Sequence, residues 1–200
     1  MTLDSAELAV NFVAVIDSFS TTTQGLIGPV QPVPLPVQIS GSFSPIGLTI
    51  NDQPAGEKCN PAHSVLFADL HNLLVPFPQQ MSAGMSWTDS LQIQSCPAGI
   101  PTLSHTTRSF TVSGETTYDG QPAVVVQRTD TTRAEGEGGL QQHRLLIDAQ
   151  GTGTAVYYLD VSSGRIVHLT VNQTLMLGVT GSSRRYQLKQ DSKQEFAVVP

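Results

Sequence analysis

The sequence predicts an α+β protein that is mainly β: a curved, half-barrel-like antiparallel meander sheet with one short covering helix. Three observations support this fold class. Apolar and polar residues alternate over 167–177, which is the period of a half-buried strand. Thr and Val are frequent, whereas Lys occurs only at Lys58, Lys189 and Lys193, and this composition favours strands over helix surfaces. Only one stretch, 61–75, has a clear helical period.

The N-terminal part is predicted to contain two strands separated by a long loop. Apolar residues at every second position predict a first strand over 7–18. Residues 19–34 are rich in Pro and Gly, which predicts a long loop or a ragged edge, because proline cannot donate to a sheet ladder. Alternation resumes around Gly41, where we expect a bend or a bulge.

The predicted helix covers residues 61–75. Asn60 is suited to cap it, and Pro61 occupies the first helical position, where proline is favoured. An apolar stripe near the 3.6-residue period marks its buried side. Pro76 and Pro78 are expected to end it.

From Trp87 onward the sequence predicts a meander over 86–198, in which each strand pairs with the next. Turn residues cluster at 118–120, 135–139, 160–164 and 178–183. The last glycine of 160–164, Gly164, is expected at positive φ, where a side chain would be strained. The strands are predicted at 86–96, 103–113, 122–133, 139–148, 153–160, 165–178 and 183–198.

Length and charge limit the classes of function. Two hundred residues without a break in composition predict a single domain over 1–200. A net charge of −6 argues against nucleic acid or an anionic membrane surface as a partner. The sequence has no apolar stretch long enough for a transmembrane segment. The first residues do not have the pattern of a signal peptide, so the chain is either cytosolic or a mature exported domain.

The two cysteines favour export. Cys59 and Cys96 each lie close to a proline, and neither has the spacing of a redox or zinc motif. A pair is consistent with one disulfide in an oxidising compartment, which would contribute about 3–4 kcal/mol by closing its loop. The alternative is two unrelated thiols in a cytosolic protein. We expect the disulfide.

Several motifs occur in a characteristic order: Pro76-Phe-Pro78, then Gly84-Met-Ser-Trp87, then Tyr158-Leu-Asp160 with Gly164-Arg165. This order over 58–198 resembles a group of bacterial exported proteins of unknown role. The hairpin that contains the last motif is also similar to the LolA-type half-barrel carriers of lipoproteins and lipids. The resemblance implies a curved antiparallel sheet wrapped around a helix, in the periplasm or outside the cell. It implies no catalytic residues.

A search for catalytic motifs predicts no enzyme, no cofactor and no metal site. The sequence has no Gly-x-Ser-x-Gly, His-Glu-x-x-His, Walker or Gly-x-Gly-x-x-Gly motif in a suitable context. His143 and His168 remain candidates for a carboxylate–imidazole pair with Asp148 or Asp160 on neighbouring strands. The alternative is that these histidines are ordinary exposed strand residues.

Two hypotheses of function follow. The first is an exported, non-catalytic module that binds a hydrophobic small molecule or lipid between the sheet and the helix. The side chains proposed to line that site, or alternatively only to fill the core, are Phe43, Trp87, Phe110, Tyr158 and Met176. The second is a structural or interaction subunit of a larger envelope or extracellular assembly, joined to another envelope protein by pairing of sheet edges.

Overall fold

The computed structural model confirms a mainly β fold. It describes residues 9–16, 36–44, 47–51, 61–95, 100–140, 143–181 and 184–197. Within these ranges the strands form two antiparallel sheets, ordered β1-β2-β3 and β4-β5-β6-β7-β8-β9, and neither closes into a barrel. The chain divides into two compact units, 1–77 with 94–101 and 78–93 with 102–200. Each unit is described by itself, and the single domain over 1–200 stays a prediction.

The elements have the following bounds: β1 Val10–Ile16, β2 Val37–Ser44, β3 Gly47–Ile50, α1 Pro61–Leu73, β4 Ser86–Ser95, β5 Thr102–Tyr118, β6 Gln121–Leu140, β7 His143–Asp160, β8 Ile166–Thr180 and β9 Arg185–Ala197. The helix thus ends two residues earlier than predicted. The residue before a proline is disfavoured in the helical conformation, and Val75 precedes Pro76. Among the described residues, no helix has both the length and the apolar character needed to span a membrane.

The first unit contains the three-stranded sheet and the helix. Helix α1 packs on β2 and β1, and its side chains Leu66, Phe67 and Leu70 are buried. The bend or bulge predicted at Gly41 is wrong, because Gly41 pairs in regular register with both Phe12 and Ile50. Glycine is instead required at this position for a steric reason. A Cβ there would lie 2.3 Å from the carbonyl oxygen of Thr49 and 2.8 Å from the Phe12 ring.

The second unit is the predicted meander, in which each of the six strands lies next to its neighbour in sequence. The turn predicted at 135–139 is wrong, because Glu135–Gly139 continue β6 and pair with Asp148–Arg144 of β7. The gap predicted between 148 and 153 is also strand, since β7 is continuous. Glycines are tolerated in these strands because bulky residues lie opposite them, as Ile147 does opposite Gly136.

Two turns of the meander match their predicted chemistry. Asp119 and Gly120 both have positive φ, at 49° and 77°, as a tight two-residue hairpin requires. At the other turn, the Asp160 carboxylate accepts hydrogen bonds from the Ser163 amide at 2.7 Å and the Ser162 hydroxyl at 2.6 Å. Gly164 has φ of 67°, as predicted.

Candidate functional site

The six-stranded sheet has two faces of different character. On one face, here called the buried face, Phe110, Val126 and Tyr157 are fully buried. On the other, the exposed face, Thr129, Thr131 and the residues opposite them on neighbouring strands are mostly exposed. Because side chains alternate along a strand, each strand contributes to both faces.

Charged residues form an ordered network on the buried face. Arg108 binds Asp89 through two hydrogen bonds of 2.7 and 2.6 Å. On the adjacent strand, Arg128 donates to Oδ2 of Asp130 at 2.8 and 3.2 Å and to the Tyr157 hydroxyl. The other carboxylate oxygen of Asp130 is buried and has no hydrogen-bond partner.

Aromatic rings surround this network. The rings of Trp87 and Phe110 stack with centroids 5.0 Å apart and an interplanar angle of 4°. Arg108 lies 5.5 Å from the Phe110 ring, and Arg128 lies 5.6 Å from the Tyr157 ring. Burial raises the pKa of Tyr157 to about 12, against the opposing effect of the two guanidinium groups. Packed side chains and ion pairs in which each charge has a partner are typical of a protein core. We therefore interpret this face as part of the structural interior.

The exposed face contains an open groove of about 730 Å³ that runs across β6, β7, β8 and β9. We call it the hydroxyl groove. Two rows of side chains border it, and within each row every residue lies opposite the next on the neighbouring strand. One row is Thr129, Thr154, Asn172 and Lys193, and the other is Thr131, Thr152, Thr174 and Asp191. The residues between the rows that also line the groove are Asp130, Gly153, Gln173 and Ser192, and alternation along the strands places their side chains on the opposite face of the sheet.

Every residue that lines the hydroxyl groove is polar or glycine, and the Thr methyl groups contribute apolar surface between the hydroxyls. Each Thr hydroxyl can donate and accept hydrogen bonds. At the β9 end, the Thr174 hydroxyl donates to Asp191 at 2.6 Å, and Lys189 pairs with the same carboxylate at 2.9 Å. These two contacts, the Thr174 hydroxyl first, lower the pKa of Asp191. The β9 end of the groove therefore has charges of both signs, from Asp191 and from Lys189 and Lys193.

A second cluster on the exposed face consists of three rings. Tyr118 lies 4.8 Å from Tyr158 and 4.9 Å from His168, measured between ring centroids. His168 Nε2 lies 3.2 Å from the Thr170 hydroxyl and 3.8 Å from Glu195. Its Nδ1 is buried without a hydrogen-bond partner.

The carboxylate–imidazole pairs proposed from sequence are not seen for His168. Asp160 instead binds the serines of its own turn, and Asp148 pairs with Arg185 at 3.1 Å. The side chain of His143 and both cysteines, Cys59 and Cys96, lie outside the described residues, so the predicted disulfide stays a prediction.

The five side chains proposed to line an apolar site lie in three places. Trp87 and Phe110 stack together on the buried face. Tyr158 belongs to the ring cluster on the exposed face, and Met176 is 48% exposed. Phe43 lies on β2 in the other unit. Within the six-stranded sheet, the structure therefore brings together Trp87 and Phe110 only.

Sequence reasoning missed the hydroxyl groove. The available signal was a repeat, Thr129-Asp-Thr131 on one strand and Thr152-Gly-Thr154 on the next. Alternation places the two Thr of each repeat on one face. The repeats become a site only once the register sets Thr131 opposite Thr152.

No family model, no curated protein and no solved structure matches this chain. The similarity to exported β-rich proteins and LolA-type carriers therefore stays a prediction. Among the described residues, no three His, Cys, Asp or Glu side chains are grouped so that they could hold a metal ion.

Proposed function

We propose that the protein is a non-catalytic binding module whose hydroxyl groove takes a hydroxyl-rich ligand, a linear oligosaccharide chain. The observation that carries this proposal is the lining of the groove, which is polar or glycine at all twelve positions. Its volume of about 730 Å³ lies within the usual range for ligand pockets. Export to the periplasm or the cell exterior, where such chains are abundant, is part of the proposal.

The direction of the groove supports a linear ligand. Neighbouring strands lie about 4.8 Å apart, so the groove extends roughly 14 Å from β6 to β9. Its two rows are two residues apart along each strand, which is roughly 6.7 Å. A chain lying across the strands would meet a pair of polar side chains at every strand, and on β6 and β7 both members of the pair are hydroxyls: Thr129 with Thr131, then Thr154 with Thr152.

The ligand proposed here differs in chemistry from the apolar or lipid-like ligand that the sequence predicted. Phe110 is fully buried, and Trp87 is engaged in stacking on it. The side chains that line the groove offer hydroxyl, amide and charged groups for hydrogen bonds, beside the Thr methyl groups. The proposal therefore keeps the class of function, a binding module, and changes the class of ligand.

The test is isothermal titration calorimetry with a panel of soluble hexasaccharides, namely those of cellulose, chitin, xylan and amylose. We expect at least one to bind the wild-type chain and the double variant Thr131→Val/Thr152→Val to bind it at least about tenfold more weakly. Valine keeps the branched shape and the strand preference but removes the hydroxyl.

The matched control is Thr111→Val/Thr116→Val, because both threonines are exposed on β5 and lie opposite Gln127 and Ala123, which do not line the groove. This variant is expected to bind like the wild-type chain. Absence of binding by the wild-type chain to every sugar in the panel would refute the proposal. If the two double variants lose affinity for the sugar equally, the placement of the ligand in the groove is refuted.

A second candidate function, an interaction subunit that pairs through a sheet edge, is favoured by β9. This strand has β8 on one side and no described strand on the other. Tyr186 and Leu188 on it are 54% and 43% exposed. Sedimentation velocity tests whether this edge pairs with a second copy of the chain, and a chain that stays monomeric at high concentration would refute self-pairing.

A further inference from the structure

Strand β9 is a regular open edge. It pairs with β8 through thirteen consecutive residues without a register shift, and no described strand lies on its other side. Proteins commonly protect such edges with bulges, prolines or very short strands. None of these occurs in β9, whose sequence is RYQLKQDSKQEFA. Lysines are a further protection, but here Lys189 and Lys193 alternate with acidic residues on the same face.

The order of charges on β9 makes the strand complementary to itself. We propose that β9 pairs antiparallel with β9 of a second copy of this chain, with the two-fold axis at Ser192. In this register Lys189 lies opposite the partner's Glu195, and Asp191 lies opposite the partner's Lys193. Symmetry produces each pair twice. On the other face, Leu188 lies opposite the partner's Phe196, an apolar pair of the kind that stabilises sheets.

Neighbouring registers are unfavourable. Moving the axis to Asp191 sets that residue opposite itself and sets Lys189 opposite the partner's Lys193. Moving it to Lys193 likewise pairs like charges, because Asp191 then faces the partner's Glu195. Like charges directly opposite each other destabilise a sheet. An axis at Gln190 restores opposite charges but sets Leu188 against the partner's Ser192, so the apolar pair is lost.

The proposed pairing also joins two binding grooves, a step that rests on the proposed function. Asp191 and Lys193 border the hydroxyl groove where it reaches β9. The two-fold axis at Ser192 sets Asp191 opposite the partner's Lys193 and Lys193 opposite the partner's Asp191. The Thr174–Asp191 row then continues into the row of the partner that contains Lys193 and Asn172. Two grooves meet end to end, so the dimer offers a longer oligosaccharide one continuous site.

Charge exchange tests the pairing. Sedimentation velocity of the wild-type chain is expected to show a concentration-dependent dimer of twice the 21.3 kDa chain mass. Asp191→Lys and Lys193→Asp each set like charges opposite one another at two places, so each should weaken the dimer about tenfold or more. An equimolar mixture of the two variants restores opposite charges and should form a heterodimer. So should the double variant Asp191→Lys/Lys193→Asp with itself.

These outcomes are informative even if one variant folds poorly, because the double variant restores pairing on its own. A monomeric wild-type chain overturns the proposal. The proposal is also overturned if both single variants form dimers as tight as the wild-type dimer. If Asp191→Lys weakens the dimer and Lys193→Asp does not, the axis lies at Gln190, where Lys193 would face an uncharged Gln187. That result refutes the proposed register.

Cross-linking tests the register directly. Antiparallel residues that face each other have Cα atoms about 4.5–5.5 Å apart, within the range of a disulfide. Ser192→Cys should therefore give a covalent dimer on a non-reducing gel after mild oxidation. Gln190→Cys is the matched control, because its two copies would lie roughly 13 Å apart along the strands. Cross-linking of Gln190→Cys but not Ser192→Cys overturns the register, and the wild-type chain provides the background from the native cysteines.

The two proposals fail separately. A monomer that binds a hexasaccharide refutes the pairing and leaves the binding module standing. A dimer that binds no hexasaccharide refutes the binding module and leaves the pairing standing. If both hold, the hexasaccharide should bind the wild-type dimer more tightly than the trisaccharide of half its length, which spans about one groove. It should show no such gain with Glu195→Lys, which lies outside the groove lining and sets like charges opposite one another at two places.

Discussion

Arg128→Met is expected to be strongly destabilising, because Arg128 is the described partner of a buried carboxylate. The side chains of Arg128 and Asp130 are only 2% and 8% exposed. Both hydrogen bonds to Asp130 come from Arg128, at 2.8 and 3.2 Å, and both end on Oδ2. The other oxygen, Oδ1, already has no partner. Methionine would fill much of the space but leave the buried carboxylate without its hydrogen-bond donor, and Arg108, which lies opposite Asp130 on β5, is engaged with Asp89.

The expected loss of unfolding free energy is about 3–5 kcal/mol, which is typical when one partner of a buried ion pair is removed. A domain of this kind is commonly stable by about 5–15 kcal/mol, so the loss is a large fraction of the total. With a urea dependence near 2 kcal/mol per molar, the midpoint should fall by about 2 M. Replacing both partners, as in Arg128→Met/Asp130→Leu, should recover part of this loss, because no unpaired charge remains.

Urea unfolding followed by tryptophan fluorescence measures this effect. The chain has one tryptophan, Trp87, which stacks on Phe110 beside the charged network. The matched control is Arg144→Met, because Arg144 also pairs with a carboxylate of the same sheet, that of Glu137 at 2.6 Å, but is 71% exposed. Exposed pairs of this kind contribute little. Equal midpoints for Arg128→Met and Arg144→Met would refute the reasoning.

Three further predictions concern the same sheet. Gly151→Ala should lower stability by about 1–3 kcal/mol, because the added Cβ would lie 2.5 Å from the Thr174 carbonyl oxygen; an unchanged urea midpoint would contradict this packing. Burial raises the pKa of Tyr157 from 10.0 to about 12, so the folded state holds the phenol proton longer than the unfolded state. Stability should be intact below pH 10 and fall by up to about 1.4 kcal/mol per pH unit towards pH 12, and Tyr157→Phe should lack this component. The Ser162 hydroxyl is the largest contributor among the hydrogen bonds that lower the pKa of Asp160 to about 2; Ser162→Ala should raise it in an NMR titration of the carboxyl carbon, and an unchanged pKa would speak against that contact.

Much of the fold was predictable, because period-two alternation is a local property. It predicted the meander and the turn closed by Gly164, and proline positions predicted the start of α1 and approximately its end. The glycines were misread. Gly136 and Gly151 resemble turn residues in sequence, yet each lies within a long strand. Their role depends on the neighbouring strand, as the closeness of Gly151 to Thr174 shows, and a single strand's sequence does not contain that information.

The candidate site was less predictable for the same reason. Trp87 and Phe110 were two of the five side chains predicted to line a ligand site or to fill the core, and aromatic character alone does not distinguish these two roles. Thr131 and Thr152 are twenty-one residues apart in the chain and become one border of a groove only through the register of β6 and β7. Charge pairs such as Arg108 with Asp89 likewise depend on how two strands are aligned.

The central claim is that ligand binds in the hydroxyl groove, and NMR chemical-shift mapping tests it most directly. The amide and Thr methyl signals of the labelled chain would be followed during titration with the hexasaccharide that binds best. If the ligand binds in the groove, the largest chemical-shift changes should fall on residues 129–131, 152–154, 172–174 and 191–193. Changes centred on Trp87 and Phe110, or on the rings of Tyr118 and Tyr158, with unchanged groove signals would contradict it.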